Sequence, residues 1–311
     1  VTRYRNVGLF VVLAAVWGSA FMAIKAGLEF FPPVLFAALR YDVAGVVMLA
    51  YALYATDSPL PRGRAEWTEV AIGAVFLIAA YHALLFIGET DPAVTSAAAA
   101  VIVSLSPVLT TGFARLLLPS ERLTALGVVG LLLGLVGVAV LSELDPGNLL
   151  AGGTVAKLLI FGAAAAFALG SVLTRRVDSE MPIETMEAWS MLLGAGLMHV
   201  ASVGLGERVG SVVLNAQSVA ALAYLSLAAS ALGFLIYFDL LARVGPIEIN
   251  LVSYVAPVFA ALAGWAFLSE VPTSSTVGGF ALIFLGFVLL KRGAIRRELR
   301  YRFGDGTGAT D

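Results

Sequence analysis

The stretch SLSPVLTTGFARLLLPSE, Ser104 to Glu121, places a proline inside an apolar run and ends on Ser-Glu; SYVAPVFAALAGWAFLSE, Ser253 to Glu270, does nearly the same with Pro257 and Ser269-Glu270. The match extends in both directions. Upstream, DPAVTS from Asp91 lies over GPIEIN from Gly245, and downstream Glu121, Gly130 and Gly137 lie over Glu270, Gly279 and Gly286 at a constant offset of 149. Nearer the starts of the two halves, WGSAFMAIK around Gly18-Ser19 is weakly echoed by ALGSVLTRR around Gly170-Ser171. One chain therefore contains two copies of one unit.

What kind of unit follows from composition. Of 311 residues, 60% are hydrophobic and 13% charged, with mean hydropathy +0.95, against roughly 25% charged in a soluble domain. The apolar residues fall in runs of the length that a helix rising 1.5 Å per residue needs to cross about 30 Å of hydrocarbon. Strands of a membrane barrel would alternate apolar and polar residues, and these runs do not. Breaks at charges, prolines and glycines define ten segments: 7–28, 33–55, 67–88, 93–117, 123–141, 153–174, 184–205, 218–242, 247–268 and 274–290. The first, although preceded by Arg3 and Arg5, runs on to Lys25 without a small-x-small cleavage pattern and is read as a retained helix. Thr56 to Glu69 is the longest polar stretch within the body, and the tail after Lys291, ending GDGTGATD, reads as basic and then flexible. The expected fold is an all-α integral membrane protein of ten transmembrane helices, with one repeat over 1–148, a second over 149–291 and a tail over 292–311.

Ten spans put both termini on one side. With that side cytoplasmic, 15 of the 19 Lys and Arg residues flank it, leaving Lys25, Arg40, Lys157 and Arg208, while Glu29, Glu89, Asp91, Glu143, Asp145 and Glu207 mark the other side. This separation is the positive-inside pattern, so the expectation is a multi-pass plasma-membrane protein with cytoplasmic termini. Because five is odd, the second unit enters the membrane from the opposite side, and the repeats are inverted. Inverted halves can exchange conformations about a site between them, so transport is the default reading.

WGSAFMAIKAGL, LRYDVAGVVMLAYAL in helix 2, the run from Asp91 through Pro107 to Glu121 with the glycine spacing of helix 5, and its second-half copy resemble the drug/metabolite transporter superfamily, in the ten-helix form with two EamA-type repeats. The likeness covers Gly8 to Leu290. It implies a carrier of small metabolites, often an exporter of amino acids or related solutes, working without ATP, with a cavity lined mainly by helices 1, 3, 4, 6, 8 and 9. Two features depart from the pattern: Pro107 and Pro257 differ by one place relative to Ser-Glu, and Asp42 follows Arg40 by two.

Pro107 and Pro257, each able to kink a helix or free a carbonyl, are candidate hinges beside Ser104, Asn250 and Tyr254; a static kink is the alternative. Trp17, Phe21 and Lys25 share a helix face at i, i+4 and i+8. Trp17 and Phe21 are cavity candidates, as are Tyr81, His82, Ser104, Ser171, Tyr237, Asn250 and Tyr254, and Lys25 is placed to snorkel. His82 is a candidate for proton coupling or anion binding, against a plain interhelical hydrogen bond; His199 reads as peripheral. Arg40 and Asp42, deep in helix 2 and pointing different ways, read first as structural charges with separate partners. Glu121 and Glu270 read as caps on the helices that follow them.

Net charge −2 gives no basic footprint for nucleic acid, and the absence of cysteine with only two histidines leaves no metal centre. No GxxxxGK[ST] loop occurs, and Gly127, Gly130, Gly134 and Gly137 fall at helix-packing spacing. The expected partners are a small-molecule substrate, the lipid bilayer and a proton or solute gradient, with no cofactor and no oligomeric state fixed. Net export is the primary expectation. Uptake or exchange of the sugar-phosphate or nucleotide-sugar type would want a more basic cavity; an intramembrane enzyme or a non-transporting scaffold is more remote.

Overall fold

A computed structural model of the chain describes residues 2–118, 125–142, 153–177, 179–244, 249 and 251–303. These form ten helical spans with no strand among the described residues. They are α1 Thr2–Gly27, α2 Pro33–Ala55, α3 Gly63–Glu89, α4 Ser96–Leu117, α5 Ala125–Ser142, α6 Thr154–Val177, α7 Ile183–Gly204, α8 Ala216–Val244, α9 Val252–Leu268 and α10 Ser274–Phe303. Six of them, α1 to α4, α6 and α8, are long and apolar enough to cross a membrane. The protein is an integral membrane protein of two inverted five-helix repeats.

Contacts show the inversion directly. Exchanging each helix for the one five places on turns α1 against α9 into α6 against α4, α3 against α6 into α8 against α1, and α3 against α7 into α8 against α2. The pairs α2 with α7 and α5 with α10 map onto themselves. Small residues permit the approach: a Cβ on Gly279 would lie 2.6 Å from the Gly137 carbonyl oxygen and 2.7 Å from Leu141 Cβ. Helices in lipid associate through such close packing because no water-driven force presses them together.

Cross-links at each end identify the two faces. On the face bearing the termini, Arg5 reaches Asp239 at 3.5 Å, which also holds Arg243 at 2.7 Å, and Trp189 Nε1 donates to the Pro59 carbonyl at 2.9 Å. On the opposite face, Glu207 accepts from the backbone N–H groups of Val34 and Leu35 at 3.0 and 2.8 Å. A carboxylate there satisfies donors that the first turn of α2 leaves open and meets its positive end.

Two spans depart from the sequence reading. α4 is not one kinked helix but two pieces, α4a over Ser96–Val103 and α4b over Ser106–Leu117, with Pro107 in the first turn of α4b. Proline lacks an N–H and is suited to a first turn, so the break falls before it rather than at it. Pro257, by contrast, lies inside continuous α9. α10 runs on as helix to Phe303, past the expected end at 290; KRGAIRRELRYRF carries five Arg, a good helix former.

Candidate functional site

α3 and α8 each contain a π-helical segment at corresponding places, Gly73–Ala80 and Tyr224–Leu232. Such segments shift the backbone hydrogen bonds from i+4 to i+5, are uncommon, and collect at functional sites. Both are tied to the centre by side chains. Trp17 Nε1 on α1 donates to the Ala229 carbonyl at 3.1 Å. Arg40 Nε on α2 donates to Ser230 Oγ at 2.9 Å, and Tyr41 follows Arg40 on the same helix. The Tyr41 hydroxyl in turn meets His82 Nε2 at 2.7 Å, and His82 Nδ1 meets the Ile78 carbonyl at 2.9 Å. A backbone carbonyl only accepts, so Nδ1 carries the hydrogen. One polar chain thus runs from the π segment of α8, through α2, to the π segment of α3.

Aromatic rings surround that chain. Trp17 stands 5.5 Å from Tyr237 and 5.9 Å from Phe234, centroid to centroid, and Tyr81 stands 4.4 Å from His82 and 5.4 Å from Phe167. Arg40 Cζ lies 5.1 Å from the Tyr41 ring centroid, within cation–π range. Arg40 is only 6% exposed, yet no carboxylate lies within 4 Å and its two terminal nitrogens have no hydrogen-bond partner among the described residues. Glu187 on α7 is 8% exposed and has no hydrogen-bond or ion-pair partner among the described residues. The centre therefore holds one cation with no carboxylate partner among the described residues, surrounded by aromatic rings.

The structure brings Trp17, Arg40, Tyr81, His82 and Tyr237 together. Phe21 is buried in the main core, and Ser171 donates to its own helix at the Phe167 carbonyl, 2.8 Å. Ser104 sits buried at the break in α4, donating to Val101 at 2.6 Å. Tyr254 turns away from the centre, its ring 4.5 Å from Phe287 on α10. Asp42 finds its separate partner in His199 at 2.7 Å, on the partly exposed side of α2 and α7. Glu121 and Asn250 lie outside the described residues. Glu270 is a correction to the capping reading. Thr273 caps α10 by accepting from Thr276 N at 3.1 Å, while Ser269, at φ 56°, ends α9 in a left-handed turn that sends Glu270 toward the first repeat. There its carboxylate accepts from Ser96 N at 2.9 Å and lies 3.7 Å from Lys25 Nζ, and Lys25 also donates to the Val94 carbonyl. Lys25 does not snorkel; it closes the face opposite the termini.

α4a packs on α9, α6, α1 and α10, and α4b on α6, α5 and α10. The two halves share α6 and α10 about the break, but only α4a packs substantially on α9, at the face opposite the termini. The sequence profile of the EamA-like transporter family matches residues 6–143 and again 154–292. The chain belongs to this family. Relatives carry transporter names: YedA of Escherichia coli K12, an uncharacterized inner membrane transporter, is 30% identical over 91% of this chain and 89% of its own length. YvbV of Bacillus subtilis, an uncharacterized transporter, is 27% identical over 93% and 92%. A crystal structure of another protein agrees with TM-score 0.65 at 25% identity, covering 95% of this EamA chain and 99% of the other.

Tyr41 and Ser230 at the centre, and the buried acid Glu187, are residues that sequence reasoning did not single out. Tyr41 stands beside Arg40, and Glu187 is an acid one turn inside an apolar helix; that placement was the available signal.

Proposed function

We propose that this EamA transporter moves a small organic solute bearing a carboxylate, an amino acid or a close relative, across the plasma membrane by alternating access, with net export. The termini-bearing face is the cytoplasmic one, in keeping with the distribution of Lys and Arg and with the inner-membrane name of YedA. The observation that carries the reading is the divided α4, whose first half alone packs substantially on α9, where Glu270 joins Ser96 and Lys25 at the face opposite the termini. With inverted repeats, a state closed at one face implies a related state closed at the other. The boundaries 1–148 and 149–291 belong to the same proposal: each repeat supplies one half of the moving pair.

Arg40 supports the substrate class. A guanidinium held at Nε and braced on Tyr41 keeps a two-pronged donor edge for a carboxylate. Lys157 is spent on the Leu141 carbonyl and Lys25 on the closed face. A single central cation suits a monoanion better than the phosphates of sugar-phosphate carriers. The aromatic rings around it suit an apolar side chain. Proteoliposomes loaded with a panel of amino acids and related carboxylates, and separately with sugar phosphates, test this. Saturable efflux of a carboxylate is expected; efflux of sugar phosphates alone would overturn the substrate class, and no solute flux from folded protein would overturn transport.

A further inference from the structure

Glu89 is the last residue of α3, beside the closed face. Its side chain is 1% exposed, and neither carboxyl oxygen has a hydrogen-bond partner among the described residues. The charges that face it are Lys25 from α1, Glu270 from the turn after α9 and Arg40 from α2. Asp91, two residues on, is occupied with the Ala93 N–H at 2.8 Å. From α4a the nearby polar group is Ser96, whose hydroxyl is itself buried and unpartnered among the described residues. α6 offers Ala156 and Ile160 against Gly88, and its Lys157 points to Leu141. Lys25 is committed to Glu270 and Val94, which leaves Glu89 with no ion-pair partner within 4 Å among the described residues.

Burying a bare carboxylate without hydrogen bonds costs several kcal/mol, and removing it from charge is the usual escape. A metal ion does not fit: no group of three or more metal-ligating side chains occurs among the described residues, and an ammonium already stands in the cluster. We propose that Glu89 is a proton-binding site, taking one proton from water on the face opposite the termini as that face closes and returning it to the same side as the face opens. An O–H bond forms on the carboxyl oxygen and is broken again on opening. The proton is not carried across, so the site sets the balance between the two states by the pH outside that face. Acid favours the closed state, and the preference is lost as pH rises. The proposal rests on the alternating-access reading.

The chain has no cysteine, so labels can be placed without background. Spin labels on Ala93→Cys and Val271→Cys, exposed at the ends of α3 and α9, report closure in purified, folded protein. In the wild-type background the closed population should fall with rising pH by up to tenfold in the closed-to-open ratio per pH unit, the slope for one proton. Glu89→Gln, isosteric with the protonated group, should stay closed at every pH, and Glu89→Asp should keep a pH-dependent transition. Distances independent of pH in the wild type, a transition that survives in Glu89→Gln, or one removed by His82→Gln instead would each overturn the proposal. Flux without this pH-linked distance would overturn the Glu89 site alone. A pH-linked distance in a protein without solute flux would support the site and sink transport.

Discussion

Gly18→Val should leave little folded protein. A Cβ at Gly18 would lie 2.6 Å from Phe259 Cβ, 3.0 Å from the Ala260 nitrogen, and closer still to the Ala256 carbonyl oxygen. Two of these three atoms are backbone of α9, which no rotamer change can move aside. Overpacking in a well-packed core costs about 1–3 kcal/mol and occasionally more, and α1 against α9 is a main contact between the repeats. A loss at or above that upper figure is expected, read as a lower unfolding temperature and aggregation on size exclusion. Gly8→Val is the control, because nothing lies within 4 Å of a Cβ there; its stability should stay within about 0.5 kcal/mol of the parent. Equal behaviour of the two variants would contradict the packing described for α1 and α9.

Arg40→Met should separate function from bracing. Arg40 is buried, bonds Ser230 at 2.9 Å, and has no carboxylate within 4 Å among the described residues. A lone charge inside a helix costs roughly 2.5–3.5 kcal/mol on insertion scales. Replacing it by an apolar chain of similar length should therefore leave unfolding temperature unchanged or raise it, as apolar replacements of buried ionic groups often do. Transport should fall by about 100-fold at low substrate concentration, since two charge-assisted hydrogen bonds to a carboxylate are together worth roughly 3 kcal/mol. Arg40→Lys should recover part of that loss, keeping charge without the fork. If Arg40→Met instead unfolds while its surviving fraction transports normally, Arg40 is a brace and the carboxylate reading fails.

The architecture was legible because its signals are long. Apolar runs of membrane-spanning length, the echo of Ser104–Glu121 in Ser253–Glu270, and glycine spacing in helices 5 and 10 report on tens of residues at once. The site was less legible because it depends on phase. Each π segment shifts the helix beyond it relative to a 3.6-residue repeat, so the faces of His82 and Tyr237 do not follow from counting along α3 and α8. α4 was read as kinked at Pro107, yet the break precedes it, since proline at a first turn starts a helix as readily as it bends one. Glu270 was paired with the helix beside it in sequence, whereas the left-handed turn at Ser269 delivers it to α4a. Glu89 sits where an apolar run meets a loop, and only burial distinguishes it from a solvated acid.

The central claim is that the contact joining Lys25, Glu270 and Ser96 opens in every transport cycle. Cross-linking Ala93→Cys to Val271→Cys with a reducible bifunctional reagent, followed by flux measurement in proteoliposomes, tests it most directly. Flux should stop in proportion to the cross-linked fraction and return on reduction, with each single-cysteine protein unaffected. Undiminished flux through fully cross-linked protein would contradict alternating access at this face.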